Sequence, residues 1–484
     1  MNSTESPPSA PPQNDSADFT ADRVGGDELR VSLARIITAW GFGAVYVNTI
    51  GGAIYTAWVR QLSTNDVLFG TLAAALPFMS VLQVVAARLI EKHRKRKRQM
   101  IVNQLIGRTL WLVAALAPLA WIYFPERFSK VQIVNLVFLC IATSGVFQAL
   151  SGPAFFSWMS DLVPERVRPT FFARRLQVGT LAAVGASVIG GLIADNFPHL
   201  PVYCVVLALA AVAGIVDIAC FFRVAEPPMM PRTDDEGNVV ETPPFWESVR
   251  EPLRDPAVRH FLLFVSLLMA GYGLQGPFLW LHSLENLGLS KTITGVIVNI
   301  APLLGMAWSL TFWRSAIRSY GTRPVMRLNA LGLVFIPLAW LFAGRGEWIS
   351  IAVITFLSGC MAGALELSNQ TVLSGIAPNF PRPTLVALFS IAAGVSFAVA
   401  SILGGVLAQF MRGYEWEIGG FSILNFHVLF LCSMLVRVIN AFVVAPRLYE
   451  PTSTPTIEAF KDILPELAQS LADLLTRPLA KSGK

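Results

Sequence analysis

Apolar residues run in twelve long blocks along the chain, separated by short polar connections, and the blocks fall into two groups of six. They lie at about 33–58, 67–90, 101–124, 131–158, 175–196 and 200–223, then at about 258–284, 292–315, 325–343, 348–374, 384–411 and 421–445. Each block is at least the ~18 residues that a helix needs to cross hydrocarbon. The pattern predicts twelve membrane helices, numbered here as spans 1 to 12.

The polar remainder marks the boundaries. Residues 1–28, with Pro7-Pro8 and Pro11-Pro12, have too little apolar surface to fold and are expected to be disordered. Residues 29–223 then form a first six-helix bundle, 224–256 a linker and 257–446 a second bundle. The linker is rich in Pro227-Pro228, Asp234-Asp235-Glu236-Gly237 and Pro243-Pro244. At its end Phe245-Trp246, Val249 and Leu253 recur at three- to four-residue spacing, which fits a short amphipathic helix on the membrane face. Residues 447–484 repeat that idea: Ile457, Phe460, Ile463, Leu467, Leu471 and Leu474 make an apolar stripe, interrupted by Pro465, for a helix on the bilayer or against the bundle.

The two groups also echo each other in sequence. Ser160-Asp-Leu-Val-Pro164-Glu-Arg-Val-Arg168-Pro169-Thr170 aligns without a gap on Ser374-Gly-Ile-Ala-Pro378-Asn-Phe-Pro-Arg382-Pro383-Thr384, 214 positions later. The register persists, with Ala186-Ser187-Val-Ile-Gly190-Gly191 falling on Ala400-Ser401-Ile-Leu-Gly404-Gly405. Duplicated halves are the mark of many transporter folds. The glycines fit close backbone approach in lipid, where no hydrophobic force draws helices together.

Composition agrees with the pattern. Mean hydropathy is +0.57 and only 14% of residues are charged, against about 25% in soluble domains. The net charge of +6 matters less than its location. Arg88, Lys92, Arg94, Lys95, Arg96, Lys97 and Arg98 follow span 2. Arg166, Arg168, Arg174 and Arg175 follow span 4, and Arg314, Arg318, Arg323 and Arg327 lie around the connection of spans 8 and 9. The alternate connections carry few basic residues, so the positive-inside rule puts the basic loops and both termini in the cytoplasm. The basic runs thus read as topology signals, and nucleic acid is not an expected partner. The five cysteines all fall within spans, without CxxC spacing, and read as buried thiols. No short basic stretch followed by an apolar run opens the chain, so span 1 is expected to stay as an uncleaved anchor.

Twelve spans divided six and six, inside termini, a long cytoplasmic linker and a parallel repeat together resemble the major facilitator superfamily over about residues 30–446. That family carries a Gly-x-x-x-Asp-Arg-x-Gly-Arg-Arg signature between spans 2 and 3. Here Ala87-Arg-Leu-Ile-Glu91-Lys92-His-Arg94-Lys95-Arg96 keeps the acid and the basic pair and loses both glycines. Between spans 8 and 9 Gly321-Thr-Arg323-Pro324 survives, with Arg318 where the acid belongs. The resemblance implies a charge clasp of Glu91, Arg96 and Asp161 that holds the cytoplasmic side closed in one state. Lys92, Lys95, Arg168, Gly321, Arg323 and Arg382 stand beside it. Two signatures of proton-linked and antiporting members are missing: Gln148 replaces the arginine in span 4, and Ala186-Ser187-Val-Ile-Gly190-Gly191 replaces Gly-Pro-x-x-Gly-Gly in span 5.

In the family the first and fourth helix of each half line the central cavity, which here implies spans 1, 4, 7 and 10. Polar groups in lipid are costly unless satisfied, so those on these spans are the substrate-binding candidates. They are Tyr46, Asn48 and Thr49; Gln148 and Ser151; Tyr272 and Gln275 beside Pro277; and Glu366, Asn369 and Gln370, which share one helical face. Asn299 in span 8 is added to them. Glu366 is the one carboxylate well inside these spans, about 12 Å of helix rise from Ser374. A carboxylate buried there favours its protonated form, as a proton carrier requires. An ion pair with Arg382 at the inside gate and a static hydrogen bond between helices are the competing readings. Asp195, His282, Glu285 and Glu417 are expected near outer ends, solvated or on a gate rim. Arg108 and Asp217 lie on helices that are not principal cavity liners in the family, and Arg437 and Asn440 read as packing or lipid-interface groups. The neutral candidates with one acid fit sugars, amphipathic drugs or a cationic metabolite, and provide no arginine or lysine for a highly anionic solute.

No HExxH, GxSxG or His/Cys cluster at working spacing is present, so an intramembrane enzyme has no sequence support. The expectation is an all-α, multi-pass plasma (cell inner) membrane protein, monomeric and without metal or cofactor. It would move a small solute by alternating access, as a proton-coupled symporter or uniporter. The alternatives are a multidrug or metabolite efflux antiporter and a non-transporting sensor or scaffold.

Overall fold

The computed structural model describes residues 26–164, 167–228, 250–375, 382–414, 416–418, 421–448 and 454–481. Eleven predicted spans are continuous helices long and apolar enough to cross a membrane: α2 Asp66–Ile90, α3 Arg96–Tyr123, α4 Lys130–Leu162, α5 Thr170–Asn196, α6 Leu200–Arg223, α7 Pro256–Asn286, α8 Lys291–Tyr320, α9 Thr322–Leu341, α10 Trp348–Leu373, α11 Thr384–Phe410 and α12 Asn425–Arg447. Span 1 departs from the prediction. It is α1, built of Gly26–Ile50 and Ala53–Leu62 with a break at Gly51-Gly52. A Cβ on Gly52 would stand 2.6 Å from the Asn48 carbonyl oxygen, so the bend needs a glycine there. Hydropathy alone does not register such a break.

Polar side chains start several helices where the pattern begins. Asn65, Asp255 and Ser290 cap α2, α7 and α8 through backbone N–H groups two or three residues on, and Ser129 with Gln132 closes a capping box at α4. Each such cap stabilises its helix by ~1 kcal/mol.

In the first half α1 packs on α5 and α6, and α3 on α4 and α6; in the second, α7 packs on α11 and α12, α8 on α10, and α9 on α10 and α12. The halves meet along two seams, α2 with α11 and α5 with α8. The repeated glycines sit on them. A Cβ on Gly191 would lie 2.6 Å from Thr292 Cα across the α5–α8 seam, and one on Gly405 would lie 2.6 Å from the Asp66 carbonyl across the α2–α11 seam. The first glycine of each pair, Gly190 or Gly404, faces Ile54 or Phe278 of its own half. Duplication has thus kept one residue for packing within a half and one for packing between halves.

Three boundaries differ from expectation. Gly26–Glu28 are already helical, and the rest of the expected disordered tail lies outside the described residues. The expected linker helix, with Phe245-Trp246 and Val249, also falls largely outside them, and Pro252–Arg254 form one 3-10 turn. Ahead of α12, Trp416–Ile418 (β1) and Phe421–Ile423 (β2) pair antiparallel with Glu417 opposite Ser422. Their alternation of aromatic or β-branched with polar residues suits a strand. The tail forms α13, Thr456–Lys481, and takes the bundle-packed option: Ala459, Ile463 and Leu467 cluster with Trp313, Ala316 and Val325 of α8 and α9.

Candidate functional site

A cavity of about 390 Å³ lies within the second half, walled by α7, α8, α9, α10 and α12. Four sequence candidates line it: Tyr272, Gln275, Glu366 and Asn369. Pro277 and the small residues Gly276 and Gly359 let the α7 and α8–α10 backbones shape its wall. Glu366 differs from its expected burial. Its side chain is exposed, and Oε1 accepts a hydrogen bond from Gln370 Nε2 at 3.0 Å. It is the one carboxylate among the described lining residues.

Arg437 of α12 also lines the cavity, and sequence reasoning missed it. Its helix position suggested packing, yet only Asn440 follows that reading, donating to the Phe264 carbonyl at 3.2 Å. The available signal was an intramembrane arginine with no acid elsewhere in its own span. Trp280 and Trp340 supply aromatic wall.

The first-half candidates lie elsewhere. Tyr46 is fully buried beneath the Arg108 guanidinium, whose Cζ stands 3.7 Å from the ring centre. Ser151 is buried too, accepting from Gln104 Nε2 of α3 at 2.6 Å and donating to the Gln148 carbonyl, while Gln148 donates to Ser144. Thr49 donates to the Val45 carbonyl of its own helix. Asn48 and Asn299 join the two halves through a 2.5 Å hydrogen bond. Polarity along one helix does not reveal which neighbouring helix satisfies it, and apart from the Tyr46 hydroxyl these groups are hydrogen-bonded within the protein.

On the side away from the basic loops the halves are tied firmly. Asp195 Oδ1 accepts from Lys291 N at 2.8 Å, and Oδ2 accepts from Thr292 N and Oγ1 at 3.0 and 2.7 Å, capping α8 from the other half. Arg60 bridges Asp66 and Glu285, each at 2.5 Å, and Arg412 donates to the Thr64 carbonyl. Asp195 and Glu285 therefore join the two halves at this end. Glu417 is exposed on β1. His282 is neither solvated nor on the rim: it is fully buried against Trp340, Phe426, His427 and Phe430.

The α2–α11 seam continues inward through Ser401 with Gly70 to Ser80, whose hydroxyl donates to the Ser390 carbonyl at 3.1 Å. Of the hydrogen bonds between the halves whose side chains are described, this one lies nearest the basic loops. The clasp pair is present there, but inside one half. Arg96, fully buried, donates to Asp161 Oδ2 at 2.5 Å and also to the Ser157 and Pro227 carbonyls. It ties α3 to α4 and to the start of the linker. Arg168 donates to the Ser160 and Val163 carbonyls at the end of α4. Arg323 donates to the Pro446 carbonyl, and Gly321, at φ 91°, makes the turn between α8 and α9. Lys95 is exposed, and the side chains of Glu91, Lys92 and Arg382 lie outside the described residues. Asp161→Asn, on a side chain 45% exposed, is expected to destabilise the protein by about 1 kcal/mol. A thermal melt checks this, and an unchanged midpoint would make the pair solvated ornament.

Sequence and fold comparisons agree on the kinship. The family model of the Major Facilitator Superfamily matches residues 31–344 and 261–479. A comparison with curated protein sequences gave no significant match. Among solved structures, the nucleoside transporter NupG is similar at a TM-score of 0.64 and 12% identity, covering 88% of this chain and 100% of its own. A bacterial homologue of the human lysosomal transporter Spinster, in an inward-facing and unoccupied conformation, gives 0.63 and 15% over 88% of this chain and 100% of its own. A D-xylose–proton symporter gives 0.61 and 13% over 90% of this chain and 99% of its own. These identities speak for the fold alone. This multi-pass membrane chain belongs to the major facilitator superfamily, a family of transporters for small solutes.

Proposed function

We propose that the protein is a secondary transporter that moves a small solute across the plasma (cell inner) membrane by alternating access, with both termini in the cytoplasm. The observation that carries this reading is the asymmetry between its two sides. Ion pairs, a helix cap and close-packed glycines join the halves on the far side, while toward the basic loops the hydrogen bonds described between them reach only to Ser80–Ser390. With the basic loops inside, by the positive-inside rule, this is an inward-open state. Rocking of residues 29–223 against 257–446 about the Asn48–Asn299 level would reverse it.

Reconstitution tests the reading. Uptake of a labelled solute panel into proteoliposomes under substrate and proton gradients should give flux for at least one member. Specific binding with no flux in any gradient would instead favour a sensor on the same fold.

Glu366 is the proposed coupling residue, because it is the described carboxylate of the cavity and its side chain is exposed. Glu366→Gln is expected to abolish the pH dependence of net uptake while solute exchange continues. A pH profile identical to that of the unmodified protein would remove Glu366 from coupling.

A further inference from the structure

The two halves build the same cluster around different charges. In the first, Tyr46 of α1 lies under Arg108 of α3, and Asp217 of α6 accepts from Arg108 Nη2 at 3.3 Å. The corresponding helices of the second half are α7, α9 and α12. There Tyr272 of α7 lies under Arg437, whose Cζ is 4.6 Å from the ring centre. This arginine comes from α12, the helix equivalent to the one that carries the aspartate in the first half. The helix equivalent to α3 offers only the Leu333 carbonyl, which accepts from Arg437 Nη1 at 3.2 Å. In the first cluster a carboxylate answers the arginine, and in the second none among the described residues does.

Arg437 is 2% exposed. Its other acceptors are neutral, Ser433 Oγ at 3.2 Å and Gln275 Oε1 at 3.3 Å, and no carboxylate among the described residues comes within ion-pair reach. A buried cation without a counter-charge is costly, so a fold that keeps one beside a cavity holds it ready for an anion. Neighbouring donors share that condition: Tyr272 Oη, Gln275 Nε2 and Trp340 Nε1 are buried without a hydrogen-bond partner, on residues that line the cavity with Arg437. Much of the remaining wall is apolar or aromatic, including Leu268, Leu279 and Trp280. Glu366 lines the same cavity but is engaged by Gln370.

We infer that this cavity binds an amphipathic organic carboxylate. Its carboxylate takes against Arg437 the place that Asp217 takes against Arg108, and its apolar body lies against Trp280 and Trp340. The inference rests on the transporter reading and names its class of solute, replacing the sequence expectation of a neutral or cationic one.

The probes are phenylacetate and its neutral isostere phenylacetamide, titrated into the purified full-length protein while tryptophan fluorescence and thermal unfolding are followed. Phenylacetate should bind about tenfold tighter or better, the scale of a charge-assisted hydrogen bond in a desolvated site. Arg437→Gln should bring the two affinities together, and Arg437→Lys should keep part of the preference. Equal binding of acid and amide to the unmodified protein, binding of neither, or a preference that survives Arg437→Gln overturns the inference. The comparison on the unmodified protein decides the matter if a variant does not fold. Solute flux without acid preference would sink this inference and leave the transporter reading intact; acid preference without any flux would do the reverse.

Discussion

Leucine at both Gly191 and Gly405 is expected to force the far side open and to lower solute flux about tenfold or more. The atoms that a side chain would strike are backbone: Thr292 Cα and N at 2.6 and 3.0 Å from a Cβ on Gly191, and Asp66 O and Val67 Cα at 2.6 and 3.1 Å from one on Gly405. Backbone cannot rotate aside as a side-chain tip can, so the helices must separate. Overpacking costs about 1–3 kcal/mol per site, and two sites on separate seams add nearly independently. A total of about 2–6 kcal/mol, set against the roughly 5.5 kcal/mol that inverts a 1:99 equilibrium, suffices to repopulate a two-state transporter. Gly190→Ala provides the contrast. Its Cβ would meet the flexible Ile54 Cδ1 at 2.5 Å within one half, so it should alter stability slightly and leave the opening alone. Labelling by a membrane-impermeant maleimide at a cysteine placed on Asn299 reads the difference. Equal labelling in the leucine variant and the parent would contradict the seam account.

Asp217→Ala is expected to be the most destabilising single change in the first half. Arg108 and Asp217 are both nearly inaccessible, and Arg108 Nε and Nη1 have no partner of their own. Removing the carboxylate leaves a cation in the core with only the Tyr46 ring face to meet it. Breaking a buried pair from one side costs about 3–5 kcal/mol, enough to lower the melting midpoint by about 10 °C. Removing both charges behaves differently, since an apolar replacement of a buried pair is often neutral or stabilising. The double variant Arg108→Met with Asp217→Leu should therefore recover most of the loss. A midpoint for Asp217→Ala within about 2 °C of the parent would show that the pair is not the electrostatic keystone described.

The helices were legible because a bilayer imposes one requirement, apolar length, that sequence states openly. Eleven spans kept their predicted places for that reason, and the first broke where Gly51-Gly52 is apolar enough to escape notice. The site was less legible because it depends on which helices meet. Tyr46 and Ser151 looked available until Arg108 and Gln104 arrived from α3, whereas Arg437 looked incidental until α12 turned it toward the cavity of α7 and α10. Gly191 and Gly405 were read as packing residues, correctly, but the repeat could not say that the second glycine of each pair packs against the opposite half. Arg96 and Asp161 were paired from a family pattern, and they meet at 2.5 Å within the first half; the additional acceptor at Pro227 had no signal in the sequence.

Distance measurements at both ends of the bundle test alternating access most directly. Spin labels on Ser160 and Thr371 report the basic-loop side, and labels on Glu126 and Glu347 report the far side; all four residues are exposed. The account predicts that Gly191→Leu with Gly405→Leu lengthens the Glu126–Glu347 distance and shortens the Ser160–Thr371 distance, each by about 5 Å or more. Distances that stay fixed at both ends, or that grow together, would contradict it.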